Sequence, residues 1–234
     1  LDGITPLSVL DDSFRSTLYP GGILNTGFAV DWTQQRVDNG KPYGQEWTRV
    51  RADGGDKVCA DNQLLRLQNP DLVAEIDENP YYANPLGDSL APITFVDRIE
   101  VPIFIAGAWQ DEQTGGHFAN MLASFTSSPH VFATLTHGLH TESLSPPVAG
   151  RYMEFLQLYV GKKVPDLSAG AALASALGGA LWGVSTFAPL ESRFTGMTYA
   201  NALAAFEAEP PVRVHFEQGG NAAYSPGTPE PNFI

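Results

Sequence analysis

A chain of 234 residues, 43% of them hydrophobic, can fill the core of one large domain or parts of two. Its 13 Lys and Arg against 26 Asp and Glu leave a net charge of −13, a surface that repels phosphate backbones and so excludes nucleic acid and anionic membranes as expected partners. The single cysteine, Cys59, rules out an internal disulfide, and the longest membrane-like run, residues 169–184, is mostly Ala and Gly and too short to span a bilayer.

The chain opens at Leu1, without Met, inside what reads as an element already under way, and it stops just after a new β segment begins. It is therefore expected to be a piece of a longer protein. Residues 1–6 read as the end of a helix, leading to a short strand over 6–10 and a loop at Asp11, Asp12 and Ser13. Residues 18–27 form a turn-rich loop in which Gly21 and Gly22, after Pro20, permit positive φ. Residues 28–78 read as helical. Phe28, Trp32, Gln35, Arg36 and Asn39 have helical spacing, residues 62–68 give a second helix and 71–76 a third, with Asn-Pro breakers at 69–70, 79–80 and 84–85. A block without strand signal inside an alternating chain reads as a helical insertion.

Alternation resumes at Thr94, Phe95 and Val96 and continues in an apolar strand over 101–107. A helix over 115–126 follows, with Phe118, Met121, Leu122 and Phe125 on one face. Next come a strand over 130–135 and a helix over 149–161, striped by Met153, Leu156 and Val160. Strands alternating with helices imply an α/β fold with a mostly parallel sheet. Residues 166–207 are Ala-rich and helical. Residues 212–216 alternate cleanly and precede a Gly/Pro-rich loop, so an antiparallel β domain is expected to start there.

Asp111 and His140 each lie just past the end of a buried strand, the edge where open α/β sheets collect their catalytic groups. A carboxylate placed there can hold an imidazole from its Nδ1 side. The competing reading makes Asp111 the cap of the helix that begins near Thr114. His137, three residues before His140, competes for the role of base. His117, His130 and His215 lack acidic or cysteine partners at ligand spacing and read as surface or half-buried histidines. No Gly-x-Ser-x-Gly elbow occurs. Ser8 has no flanking glycines, Ser185 lies downstream of His140 in Gly-Val-Ser-Thr-Phe, and Cys59 has no neighbouring His, so none of the three is expected to be a nucleophile. Asp53-Gly-Gly-Asp56 with Asp61 lacks the full calcium-loop pattern and reads as a solvated acidic loop. No nucleotide loop or zinc set is present, and no metal is expected.

Leu18-Tyr19-Pro20-Gly21-Gly22, the helical insertion, Ile93–Ile99, Val101-Pro102, Gly107-Ala108-Trp109-Gln110-Asp111 and Gly138-Leu139-His140 together resemble the CocE/NonD group, the cocaine esterase and X-prolyl dipeptidyl peptidase-like hydrolases. The resemblance runs over nearly the whole chain. It implies an α/β-hydrolase core, a helical cap and a C-terminal jelly-roll domain. On that pattern residues 1–27 and 91–165 belong to the core, 28–90 are the cap, 166–210 a helical extension, and 211–234 the start of the β domain. It further implies a serine hydrolase of ester or peptide substrates, without cofactor, in which Asp111 and His140 match the acid and base of the triad. The nucleophilic Ser and the oxyanion donors are expected upstream of Leu1, in a missing N-terminal half. Thr136-His137-Gly138-Leu139-His140 departs from the Gly-Pro-Trp-x-His of several relatives, which leaves the choice between His137 and His140 open. Under a cap that roofs an acyl pocket, Trp32, Trp47, Tyr81 and Tyr82, with Trp109 beside the acid, are candidates to touch substrate, against the alternative that they pack the cap onto the core.

Overall fold

The apolar run Ile103–Ala108 is buried at every residue and forms β1, the centre of the computed structural model, which describes residues 1–81, 86–168, 170, 176, 180 and 192–218. β1 pairs parallel with β2 (Val131–His137) from Ile103↔Val131 to Ala108↔Thr136, and β2 pairs parallel with β3 (Val212–Gln218). The sheet order is β1-β2-β3. Continuous apolar strands suit a parallel sheet, which is covered on both faces. Beyond β1 the first residues run alongside it. Ile4 bridges Ile103 and Leu7 bridges Ala106, both parallel. Residues 1–6 are thus extended along the sheet and do not end a helix. The expected strand over 6–10 is reduced to these bridges, because Pro6 has no N–H to give a ladder.

β3 corrects a second expectation. Its alternation suggests the opening of an antiparallel domain, yet it lies parallel to β2 in the same sheet. A period of two is compatible with either strand direction, and here it does not follow burial, since His215 is buried and Val212 is 39% exposed. Residues 219–234, where a jelly roll would continue, lie outside the described residues.

Between residue 8 and β1 the chain makes the insertion. Asp12 caps a turn of π-helix, Ser13–Leu18, accepting from Phe14 N and Arg15 N at 2.9 and 2.8 Å. Gly21 and Gly22 take φ of 65° and 82°, as the paired glycines require. Four helices come next: α1 (Phe28–Gly40), α2 (Glu46–Asp53), α3 (Lys57–Gln63) and α4 (Leu72–Glu78), with the short α5 (Leu86–Ser89) after them. α2 has no counterpart among the helices expected from spacing. The single helix expected over 62–68 is instead the end of α3 and a 3-10 turn, Leu64–Gln68. Asp56 caps α3 through Cys59 N at 2.9 Å and also pairs with Arg51, while Asp61 pairs with Lys57, so the acidic loop is spent on local ion pairs. Among the described residues no cluster of three or more His, Cys, Asp or Glu could hold a metal ion. The block contains no strand among the described residues. Residues 94–96 are not extended: 3-10 turns at Pro92–Thr94 and Val96–Arg98 carry the chain into β1.

Alternate residues of β1 feed two cores. Ile103 and Ile105 pack with Phe118 and Met121 from a 3-10 helix, Gly116–Ser124, and with Phe125 just after it; this helix replaces the α-helix expected over 115–126 but keeps its buried face. A Cβ on Gly107 would stand 2.6 Å from the Phe118 ring, so the strand needs glycine there. On the other face Phe104 and Phe132 pack with Val148, Phe155 and Phe206 from α6 (Pro146–Phe155) and α7 (Tyr199–Glu207). α6 runs on as a π-turn, Leu156–Val160. The stripe expected on Met153, Leu156 and Val160 is displaced: Val160 is 46% exposed, and Val148, Arg151, Phe155, Leu158 and Tyr159 are buried. Apolar periodicity could not show a buried arginine on that face. Between residues 169 and 191 the expected helical extension lies almost wholly outside the described residues. No described helix is long and apolar enough to cross a membrane.

Arg151 ties the last strand to the sheet. It donates to Ala133 O and Thr134 Oγ1 of β2 and to Pro210 O and Pro211 O at the entry to β3, at 2.9–3.2 Å. Arg151→Met should lower the free energy of unfolding by about 3 kcal/mol, since buried acceptors lose their donor. Arg151→Lys should not restore it, because one ammonium cannot serve this planar set of acceptors. Urea unfolding of both variants checks this; equal stability of Lys and Arg would reduce the residue to a buried charge.

Candidate active site

Past the ladder the two loops stay joined. Trp109 N donates to Thr136 O at 2.9 Å and Gln110 N to Gly138 O at 3.1 Å. The chain then turns, with Asp111 buried at 5% exposure. Asp111 Oδ1 accepts from Gln113 N and Thr114 N, both at 2.8 Å, and Oδ2 accepts from Thr114 Oγ1 at 2.7 Å. Gly115, at φ 72°, closes the turn. The same carboxylate meets His140: Nδ1 lies 2.9 Å from Oδ2 and 3.1 Å from Oδ1. A carboxylate only accepts, so the contact requires the proton on Nδ1. Asp111 does not cap the helix that follows, which starts at Gly116 with Gly115 as its N-cap; its carboxylate instead holds its own turn and the imidazole together. The His140 side chain stays 31% exposed against 0% for that of Asp111. One nitrogen is held from behind, as a base requires.

The backbone of His140 is held as well. Its N–H donates to Glu112 Oε2 at 3.1 Å, and its carbonyl accepts from Ser8 Oγ at 2.9 Å, with Ser143 Oγ 3.3 Å away. Burial would raise the Glu112 carboxyl, but hydrogen bonds from its own N–H and from His140 N–H outweigh it and hold the group below the usual carboxylate range. Nothing in the sequence pattern singles out Glu112 or Ser143, and Ser8 enters it only as a rejected nucleophile. Ser8 does take a strained φ of 50°, but its hydroxyl is engaged with the His140 carbonyl and with Ser143 Oγ, 2.8 Å away.

The other candidates fall apart spatially. His137, the last residue of β2, faces Gln110, whose Nε2 is 3.4 Å from its Nε2, so His140 is the imidazole on Asp111. His130 stacks on Phe132 and pairs with Glu207. His215 is fully buried rather than at the surface or half-buried, and burial, with Arg213 and Arg151 nearby, pushes it down to about 4. Cys59 is half-buried against Thr48 O, and Ser185 lies outside the described residues.

Two cavities flank the insertion. One of about 670 Å³ is lined by Asp11, Ser16, Tyr19, Tyr81, His117 and Asn120. The other, about 310 Å³ and mostly apolar, lies between α1 and α4, with Phe14, Leu18, Phe28, Trp32 and Ile76 in its wall. Phe14 borders both, and neither is lined by Asp111 or His140. Trp32 and Tyr81 therefore line separate spaces. Trp109 is 42% exposed with its ring 6.0 Å from Phe118, and Trp47 is 56% exposed on α2. Tyr82 lies outside the described residues.

No family model matches the chain, and no curated protein sequence matches it. Two crystal structures of a CocE/NonD family hydrolase from Staphylococcus aureus match its fold over 71% of this chain. Sequence identity is 17% with a TM-score of 0.50 for one, and 19% with 0.47 for the other. The chain spans about a quarter of their length, 25% and 26%. The likeness, at 17% identity and a TM-score of 0.50, is one of fold.

Proposed function

We propose that this chain belongs to a CocE/NonD-type serine hydrolase and supplies the acid and the base of its triad, acting on ester or X-prolyl and other amide bonds. The observation that carries the reading is the Asp111–His140 pair, with Nδ1 2.9 Å from Oδ2 at the carboxyl edge of a parallel sheet. In the proposed cycle a serine from the segment upstream of Leu1 attacks the substrate carbonyl. His140 Nε2 takes the serine proton and returns it to the leaving group. Asp111 stays ionised, keeps the proton on Nδ1 and offsets the charge of the imidazolium. Water then releases the acyl group by the same route in reverse. Oxyanion donors are likewise assigned to the upstream segment. The insertion serves as the cap, with Trp32 and Tyr81 in the walls of its two cavities and Trp109 beside the acid. The cycle calls for no metal or organic cofactor.

The second reading is a non-catalytic module on the same fold, and the absence of a Gly-x-Ser-x-Gly elbow from these 234 residues favours it. The two part on one experiment. p-Nitrophenyl acetate is offered to the 234-residue chain and to the protein extended upstream through the first Gly-x-Ser-x-Gly. The extended protein should hydrolyse it and lose that activity in His140→Ala. The 234-residue chain should fall short by about 10⁶-fold, the cost of a missing nucleophile. No hydrolysis by the extended protein would favour the module; robust His140-dependent hydrolysis by the short chain would place the nucleophile within it.

A further inference from the structure

We propose that Glu112 and Ser8 are positioning residues for His140, gripping its backbone from both sides so that the imidazole keeps its place as its charge changes. The chemistry rests on the hydrolase reading above, while the grip itself is a matter of geometry that can be tested without turnover.

Asp111 fixes the ring at a single nitrogen. It does nothing for the backbone that carries the ring. His140 opens a 3-10 turn, His140–Leu144, and its N–H is one of the donors that such a turn leaves without an internal partner. Leu139, at the cap position, offers no side-chain acceptor. Glu112, from the neighbouring loop, takes that N–H at 3.1 Å. On the other side the carbonyl accepts from Ser8 at 2.9 Å, and Ser143, whose Oγ lies 2.8 Å from that of Ser8, has its one proton free to donate to Ser8 in turn. Residues 8 and 112 come from two separate parts of the chain and converge on one residue, beside Ser143 of its own turn. Ser8 reaches it from a φ of 50°, a conformation that costs about 1–3 kcal/mol and persists where surroundings impose it. The imposing contact is adjacent: Ser8 N donates to Ala106 O at 2.8 Å, immediately after Leu7 bridges β1. In the proposed cycle the ring alternates between neutral and cationic beside a fixed anion. A displacement of about 1 Å can cost on the order of 10²-fold in rate, so restraint of the backbone matters as much as the bond to Nδ1.

The grip is tested first in the 234-residue chain, by amide hydrogen exchange of His140 in ¹⁵N-labelled protein. Glu112→Ala should speed that exchange about tenfold, as loss of a charge-assisted bond does, with the Thr134 and Leu135 amides of β2 unchanged as references. Glu112→Gln keeps an acceptor oxygen and should recover most of the protection. Should Glu112→Ala fail to fold, Glu112→Asp, one methylene short, takes its place. In the extended protein Glu112→Ala and Ser8→Ala should each lower kcat about tenfold and leave KM within about twofold, and Glu112→Gln should restore kcat. Unchanged exchange in Glu112→Ala, or unchanged kcat despite faster exchange, overturns the proposal. Loss of activity in Ser8→Ala as complete as in His140→Ala overturns the role of Ser8 and makes it the nucleophile. If the extended protein hydrolyses nothing, the hydrolase reading falls and the exchange result alone decides the grip.

Discussion

Asp111→Asn should lower the turnover of the extended protein by about 10⁴-fold and leave its melting temperature within about 4 °C. The asparagine carbonyl can stand where Oδ1 stands and keep the bonds from Gln113 N and Thr114 N. The Thr114 hydroxyl can reverse and accept where it now donates. His140 cannot adapt without consequence. An amide N–H 2.9 Å from Nδ1 demands a lone pair there, which moves the ring proton to Nε2, the atom that must accept from serine. Shape and turn survive while the tautomer is wrong. Asp111→Ala tests the other half of the residue's work. It strips both backbone N–H groups of their acceptor and should cost about 1–2 kcal/mol of stability in addition to activity. Hydrolysis rate and thermal unfolding measured on the same preparations check both variants. Near-normal turnover in Asp111→Asn would leave the carboxylate as a turn cap and remove the catalytic assignment.

Gly138→Ala should cost about 10²-fold in turnover or more, with a loss of about 1–3 kcal/mol in stability. A Cβ there would overlap Glu142 Cγ and stand 2.9 Å from Cδ and 3.2 Å from Cβ of the same side chain. Those are the inner atoms of a residue that is 0% exposed, so it cannot swing aside. The chain itself must yield, and the next residues are Leu139 and His140. The Gly138 carbonyl also accepts from Gln110 N at 3.1 Å, one of the bonds that keep the two loops together. Comparing kcat with urea unfolding separates the displaced histidine from general loosening. Activity close to wild type would show that the loop absorbs a methyl group without moving His140.

The strands that carry the site are legible because β1 is apolar throughout, β2 is mostly so, and their ends are marked. Trp-Gln-Asp comes after one and Gly-Leu-His after the other. The insertion is legible as helical, since residues 28–40 have the right period and Asn-Pro pairs punctuate the segments after them. The failures have particular causes. β3 alternates in residue type, yet the polar His215 is buried and Val212 is 39% exposed, and alternation says nothing about strand direction. Met153, Leu156 and Val160 lose to a face containing Arg151 because hydrophobic periodicity gives a buried cation no weight, and because a π-turn at Leu156–Val160 breaks the 3.6 phase. The Asp111–His140 pair can be anticipated from position along the chain. The choice against His137 cannot, since only the trajectory of the loop turns that ring to Gln110. Glu112 and Ser8 act through backbone groups of His140, and such contacts leave no residue pattern.

The pairing of β1 with β2 has a consequence for what can vary in this protein. Asp111 and His140 are 29 residues apart, yet that number does not hold them at 2.9 Å. What holds them is Ala108 standing opposite Thr136, with each side chain a fixed few steps beyond. The segment between, from Gly116 to His130, packs Phe118, Met121 and Phe125 into the core and turns back through the exposed Thr126. Residues added near Thr126 would alter the spacing and leave the geometry alone. A slip of one residue in the ladder would keep the spacing and carry the partners about 3.3 Å apart along the strands. Kinship with this chain is therefore better sought in the residues just beyond two neighbouring strand ends than in any count of residues between an aspartate and a histidine.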